Sequence, residues 1–333
     1  MKFDKRKLTL IIGIPLSILC LYLALRKVDF SKTLQLLTQT NYIYLLPAII
    51  LFIIDFLLRS LRWKVLLSPV KKCRYIDLLS TLYIGFFANS VLPMRMGEVI
   101  RAVMVGEKEK ISKTSSIATI ALERLLDGFA ILILLIMAFF VFPFPENIKR
   151  IWIIGAFVFS FLLLLLYGLI YLRSFTLKVL TSLFKMLPNN FEEKIERLLD
   201  KFLAGLEILR KTRHFFLTMT ISMGVWLADA SVFYFVAKGM GIQQITFIGA
   251  IFIMAVIALG ISIPSSPGYI GVYEYFGVLG CSILGIEKSS ALSFILLTHI
   301  MQILIISIIG MFFLTREHIS LFQLEKKAEA EES

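Results

Sequence analysis

Asn89-Ser90-Val91-Leu92-Pro93-Met94-Arg95-Met96-Gly97-Glu98-Val99-Ile100-Arg101 ends an apolar run that opens at Leu78. Pro93 and Gly97 break regular backbone where two arginines and a glutamate crowd together. Outside water, such a break survives only if it is buried in protein or lines a wet cavity. The surroundings therefore decide what the stretch is. The chain is 58% hydrophobic and 17% charged over 333 residues, and the charges cluster between long apolar runs, which excludes an ordinary soluble protein. The stretch from Leu78 to Arg101 then reads as a broken hairpin that enters and leaves the bilayer on one side.

A second break lies far downstream. Ile242 to Ile263 is apolar and is followed by Pro264-Ser265-Ser266-Pro267-Gly268-Tyr269-Ile270-Gly271-Val272-Tyr273-Glu274, then by apolar sequence to Leu284. Two prolines remove backbone donors and two glycines permit unusual dihedrals, so an unwound turn is expected, with Glu274 opening the next half-helix where the dipole favours a carboxylate. A plain helix-loop-helix at the outer surface is the alternative.

Around these hairpins, uninterrupted apolar runs at Leu8 to Leu25, Ile43 to Leu58, Leu125 to Phe142, Ile151 to Leu172, Phe215 to Ala237 and Ser289 to Leu314 predict six full spans. The first is long for a signal peptide and runs into Arg26-Lys27 without a small-residue cleavage site, so it reads as retained. The expected fold class is an all-α polytopic membrane protein of about six transmembrane helices and two re-entrant hairpins. With the amino terminus inside, 28 of the 35 Lys and Arg fall in the inner segments, which places both termini in the cytoplasm of a cell-membrane protein.

This order of elements suggests an inverted repeat, the plan of many secondary transporters. Residues 1–143 form the first membrane repeat and 144–314 the second, leaving an acidic tail at 315–333 that reads as frayed from Glu325. An insertion at 173–213 carries Phe191, Ile195, Leu198, Phe202, Leu206 and Leu209 at helical spacing behind an Asn190 and Glu193 capping pair. It is expected to lie as an amphipathic helix on the membrane or on the bundle.

Charge is costly at membrane depth, about 2.5–3.5 kcal/mol per group on insertion scales. Arg95, Glu98 and Arg101, with Glu123, Arg124 and Asp127 on the next helix, must therefore pair or line water. Their functional reading is a clamp in which arginines fork onto phosphate while Asn89 and the carboxylates set the forks; the other reading is a set of interfacial charges holding the hairpin in register. Arg59, Arg62 and Trp63 end the second span and read first as a cytoplasmic anchor, second as the access point of a headgroup. Asp55 and Asp229 lie inside spans and must pair with an arginine or carry a proton. His299 shares a face with Gln302 and reads as a hydrogen-bonded core residue. Pro93, Gly97, Pro264, Pro267, Gly268, Gly271 and Glu274 are the candidate gate.

Cys20, Cys73 and Cys281 are too scattered for a metal or disulfide framework, and neither a phosphate-binding lysine loop, a zinc-spaced pair nor a nucleophile elbow is present. No cofactor, no metal and no enzymatic activity are expected, and ATP coupling within this polypeptide is excluded. The net charge of +12 points to membrane lipids rather than nucleic acid.

The pattern Asn89…Pro93-x-Arg95-x-Gly97-Glu98-x-x-Arg101, then Glu123-Arg124-x-x-Asp127, then Pro264-x-x-Pro267-Gly268-x-x-Gly271-x-x-Glu274 resembles the lysylphosphatidylglycerol synthetase transmembrane family, also called flippase-like domain proteins. In its bifunctional members, the multiple peptide resistance factors, such a domain moves aminoacylated phosphatidylglycerol between leaflets and a fused domain makes it. The 333 residues contain no such synthetase part, so the resemblance implies translocation of a phospho- or polyprenyl-type lipid without its synthesis. Two other classes remain open. One is a proton-coupled small-solute transporter using Asp55, Asp229 or Glu274; the other is a non-transporting subunit that docks a separate lipid-modifying transferase.

Overall fold

The computed structural model describes residues 5–93, 95–141, 157, 161, 212–263 and 265–332. Apart from Phe157 and Phe161, the expected span at 151–172 lies outside the described residues, as do nearly all of the insertion at 173–213 and Pro264. Every regular element among those described is a helix.

In chain order these are α1 Lys5–Leu25, α2 Phe30–Thr38, a 3-10 turn Tyr42–Tyr44, α3 Leu45–Leu67, α4 Tyr75–Val91, α5 Met96–Glu109, α6 Lys113–Val141, α7 Thr212–Gly239, α8 Phe247–Gly260, a 3-10 turn Pro267–Tyr269, α9 Val272–Ile283, α10 Lys288–Arg316 and α11 Leu321–Glu332. Three described stretches are long and apolar enough to cross a membrane: Tyr42–Leu67, Arg213–Gly239 and Lys288–Arg316. A shorter apolar helix, Gly13–Leu25, lies within α1.

The two broken stretches are both helical hairpins. Their limbs have 17 and 14 residues in α4 and α5, and 14 and 12 in α8 and α9. At 1.5 Å per residue none exceeds about 26 Å, short of the roughly 30 Å hydrocarbon core. The first hairpin is longer than its sequence suggested, because α5 continues past Arg101 to Glu109. Gly97 makes the limbs touch: a Cβ built there would lie 1.8 Å from the Gly85 carbonyl oxygen, and its N–H donates to Asn89 Oδ1 at 2.8 Å.

The hairpins meet at their tips. Gly268 lies against the Ser90 carbonyl, which would be 3.3 Å from a Cβ at that position, and the Arg95 guanidinium donates to the Ile261 carbonyl. The first helix secures the second tip. Ser17 Oγ accepts from Ser266 N–H at 2.8 Å, and Gly271, at φ +92°, comes so close to the Ser17 carbonyl that a Cβ would lie 2.1 Å from it.

Two further expectations are corrected. The second span does not end at Leu58; α3 runs to Leu67, so Arg59, Arg62 and Trp63 are buried helix residues and not a flanking anchor. Paired carboxylates on neighbouring helices make that burial tolerable. The tail after Leu321 is a helix and not a frayed end: Leu324 is buried, and Lys327 Nζ reaches Glu107 of α5 at 2.8 Å.

Candidate functional site

Four positions on α3, Asp55, Arg59, Arg62 and Trp63, are spaced i, i+4, i+7 and i+8, and therefore share one face. That face meets α6 and α7. Arg62 is almost fully enclosed; its Nη1 donates to Asp127 Oδ1 at 2.5 Å and to Ser222 Oγ at 2.9 Å, while Nη2 stands 3.8 Å from Glu123 Oε1. Arg101 is equally enclosed, with Nη2 donating to Glu123 Oε2 at 2.7 Å and its guanidinium 4.2 Å above the Trp63 ring. Trp63 Nε1 in turn donates to Thr119 Oγ1 at 3.1 Å. These groups form a charged knot that joins α3, α5, α6 and α7.

Beside the knot is a cavity of about 450 Å³. Asn89, Arg95 and Glu98 reach it from the first hairpin, Arg124 and Asp127 from α6, and Asp55 and Arg59 from α3. The second hairpin adds Gly268, Tyr269 and Tyr273, α7 adds Trp226 and Asp229, and α10 adds His299 and Gln302. The clamp expected from sequence is thus divided. Arg95, Glu98, Asn89, Arg124, Asp127 and Arg59 come to one wall system, whereas Arg62, Arg101 and Glu123 lie behind it.

The arginines on the cavity differ in what holds them. Arg59 Nε donates to Asp55 Oδ2 at 2.7 Å, and its guanidinium lies 5.2 Å from the Trp226 ring. Arg124 stands 3.1 Å from Glu98 Oε1 and 3.5 Å from Asp127 Oδ2. Arg95 has no carboxylate within ion-pair distance among the described residues. Its partners are the Ile261 carbonyl and the Tyr269 ring, 5.6 Å away, and its buried Nε has no hydrogen-bond partner.

Both tip residues are also strained. Arg95 at φ +54° and Tyr269 at φ +59° hold left-handed backbone without being glycine. That costs about 1–2 kcal/mol each and persists only where the surroundings enforce it.

On the far wall a polar chain crosses three elements. Asp229 Oδ1 accepts from Gln302 Nε2 at 3.4 Å, Tyr273 Oη donates to Gln302 Oε1 at 3.1 Å, and the Tyr273 ring stacks on His299 with centroids 3.8 Å apart. His299 Nδ1 lies 2.6 Å from Glu274 Oε1, and Glu274 Oε2 accepts the Gly271 N–H at 2.6 Å. Asp55 therefore has its arginine, while Asp229 has an amide.

Sequence reasoning passed over Ser17, Ser222, Trp226, Tyr269 and Tyr273. Trp226 donates to Asp127 Oδ1 at 3.0 Å and, with Ser222 and Asp229, forms an i, i+4, i+7 stripe on α7 that could have been read from spacing. Ser17 carried no such signal, because its partners are backbone atoms some 250 residues away.

Comparison with known proteins gives a consistent result. The profile of the family described as lysylphosphatidylglycerol synthase TM region matches residues 10–310. UPF0104 membrane protein PH1989 of Pyrococcus horikoshii is 25% identical, over 92% of this chain and 95% of its own length. UPF0104 membrane protein MJ1595 of Methanocaldococcus jannaschii is 24% identical, over 93% and 95%. Glycosyltransferase AglD of Haloferax volcanii is 22% identical over 88% of this chain but only 52% of its own length. No solved structure matches.

Proposed function

The chain belongs to the lysylphosphatidylglycerol synthase TM region family of membrane proteins, and on that footing we propose that it translocates a phosphate-bearing lipid across the cytoplasmic membrane. It acts as a flippase or scramblase and not as an enzyme. Both termini are cytoplasmic, and the two hairpins re-enter from opposite sides as counterparts in an inverted repeat. This reading rests on Arg95, a cation on the cavity wall whose Nε is unpartnered and which no described carboxylate neutralises. A guanidinium so placed matches a phosphate, which offers the charge and the paired oxygens it lacks. Asn89, Glu98 and Arg124 stand near enough on the same wall to orient the headgroup, while Phe52, Phe56 and Ile131 supply apolar lining.

The test is translocation in proteoliposomes holding fluorescent phosphatidylglycerol, read as the fraction of label reached by an external quencher. Arg95→Ala should lower the rate tenfold or more, with the protein still folded. Arg95→Lys should restore part of it, because a point charge attracts phosphate without the fork. A parental rate in Arg95→Ala refutes the reading. The likeness to a protein named as a glycosyltransferase favours a second role in lipid-linked glycan processing, in which a polyprenyl phosphate lipid is carried or a separate lipid-modifying enzyme is docked. Under that reading, polyprenyl phosphate should compete with the fluorescent lipid, or a transferase should co-purify.

A further inference from the structure

The carboxylate of Glu274 accepts at both oxygens. Oε2 takes the Gly271 N–H at the amino end of α9, where the helix dipole also favours negative charge. The ionised form is thus the one the backbone is built to receive, and the hydrogen of the 2.6 Å contact belongs to His299 Nδ1. That fixes the tautomer: in the neutral ring Nε2 is an acceptor. His299 lines the cavity, and Nε2 has no hydrogen-bond partner among the described residues. A stacked Tyr273 ring holds the imidazole plane.

We propose that the His299–Glu274 pair is a proton-binding site on the cavity wall, and that its protonation is linked to occupancy of the cavity by an anionic headgroup. This rests on the lipid reading for the identity of the anion but not for the proton site. A proton taken up at Nε2 turns the pair from a net negative charge into a neutral ion pair. An anion bound at Arg95 shares the same cavity, so it favours the protonated pair, and by reciprocity protonation favours the anion. Each should strengthen the other on the order of tenfold.

The groups facing the pair are compatible with this. The second hairpin presents Tyr269 and Tyr273, and α8 has no titratable residue from Phe247 to Gly260. From across the cavity come Asp229 of α7, Asp55 and Arg59 of α3, Arg95 and Glu98 of the first hairpin, and Arg124 and Asp127 of α6. All but Asp229 and Arg95 are held in ion pairs with one another or with the knot. α1 carries only Cys20 and Tyr22 between Gly13 and Leu25, and the charges nearest α2, Lys32 with Glu287, sit at the far end of α10. Asp229, tied through Gln302 to Tyr273, is the next carboxylate along the wall.

The chain has three histidines, so the site can be observed directly. In ¹⁵N-histidine-labelled protein in nanodiscs, long-range ¹H–¹⁵N correlation should show one ring in the Nδ1–H tautomer that becomes imidazolium on acidification over the range in which the protein stays folded. That signal should vanish in His299→Gln. In Glu274→Gln its protonation should need at least about tenfold more acid, since the stabilising carboxylate is gone. A His299 ring in the Nε2–H tautomer, or one that never changes charge over that range, overturns the site.

The linkage is read in the proteoliposome assay under an imposed pH gradient. The gradient should change the parental rate about threefold or more and leave His299→Gln unaffected. A gradient-insensitive parent that still moves lipid overturns the linkage and leaves the lipid reading standing. A titrating His299 in a protein that moves no phosphatidylglycerol or polyprenyl phosphate does the reverse.

Discussion

Replacing Gly97 by alanine tests the hairpin that carries Arg95. The new carbon would sit 1.8 Å from the Gly85 carbonyl oxygen, 2.6 Å from Asn89 Oδ1 and 2.8 Å from Asn89 Cγ. The worst neighbour is backbone, so no rotamer change relieves it. To regain ordinary contact the limbs must part by about 1.5 Å. Overpacking of this kind costs about 3 kcal/mol, and separation also breaks the 2.8 Å bond from Gly97 N–H to Asn89, worth about 1 kcal/mol. The sum of about 4 kcal/mol should lower the thermal midpoint in detergent by about 8 °C, taking about 2 °C per kcal/mol for a chain of this size. A thiol-reactive dye or fluorescence-detected size-exclusion assay reads that midpoint. Gly224→Ala is the paired control. Its nearest neighbour is Leu58 Cδ1 at an ordinary 3.5 Å, and inside a helix alanine should gain about 1 kcal/mol over glycine. If Gly97→Ala melts within about 2 °C of the parent, equivalent to less than about 1 kcal/mol, the limbs do not touch as described and the placement of Arg95 falls with them.

Arg101→Ala should destabilise by about 3–5 kcal/mol by removing the close partner of Glu123, and show as lost monodisperse protein, whereas Arg95→Ala, which loses one bond to the Ile261 carbonyl, should cost only about 1 kcal/mol; equal behaviour of the two would show that knot and cavity wall are not distinct. Cys20, Cys73 and Cys281 are free and buried, so a maleimide should label them only after detergent denaturation and reductant should leave the midpoint unchanged; rapid labelling of the native protein counts against the packing. Lys327→Glu should free α11 from Glu107, seen as faster proteolysis after Arg316, and Lys108→Met should add to the effect by removing the 2.5 Å contact to Glu317. If both variants are cleaved at the parental rate, α11 is not held by these charges.

Helix type and the two breaks were legible because proline, glycine and apolar runs act locally. Which arginine faces the cavity was not, because that depends on helix rotation. Arg101 is four residues past Gly97 and therefore shares the face that Gly97 presses onto α4. A Cβ at Gly85 would lie 2.4 Å from Arg101 Cγ, so that face is closed. Glu98, one residue round, is free to meet Arg124. Arg59 and Arg62 share a face of α3 and differ instead in their partners: Asp55 holds Arg59 at the cavity, while Asp127 and Glu123 draw Arg62 into the knot. Length misled as well: a charged end to an apolar run looked like a flank at Arg59, but carboxylates on α6 let α3 continue inside the protein to Leu67.

Broken helices leave backbone groups that lipid cannot satisfy, and where those groups find partners shows why the tips face a polar space. At the second tip the Ser266 N–H is taken by Ser17, the Ile270 carbonyl by Ser266 Oγ at 2.9 Å, the Gly271 N–H by Glu274 and the Ile261 carbonyl by Arg95. Two of these four partners are neutral hydroxyls, and the third is the Glu274 carboxylate, which also meets His299. The fourth uses a cation of the cavity wall that no described carboxylate neutralises. Substituting Arg95 therefore removes a backbone partner as well as a charge, and the two losses can be told apart. Arg95→Gln retains an N–H donor for Ile261 but no charge, so it should keep the parental melting midpoint while translocating as poorly as Arg95→Ala. Parental transport by Arg95→Gln would reduce Arg95 to a tie between the tips and leave the cavity without its phosphate site.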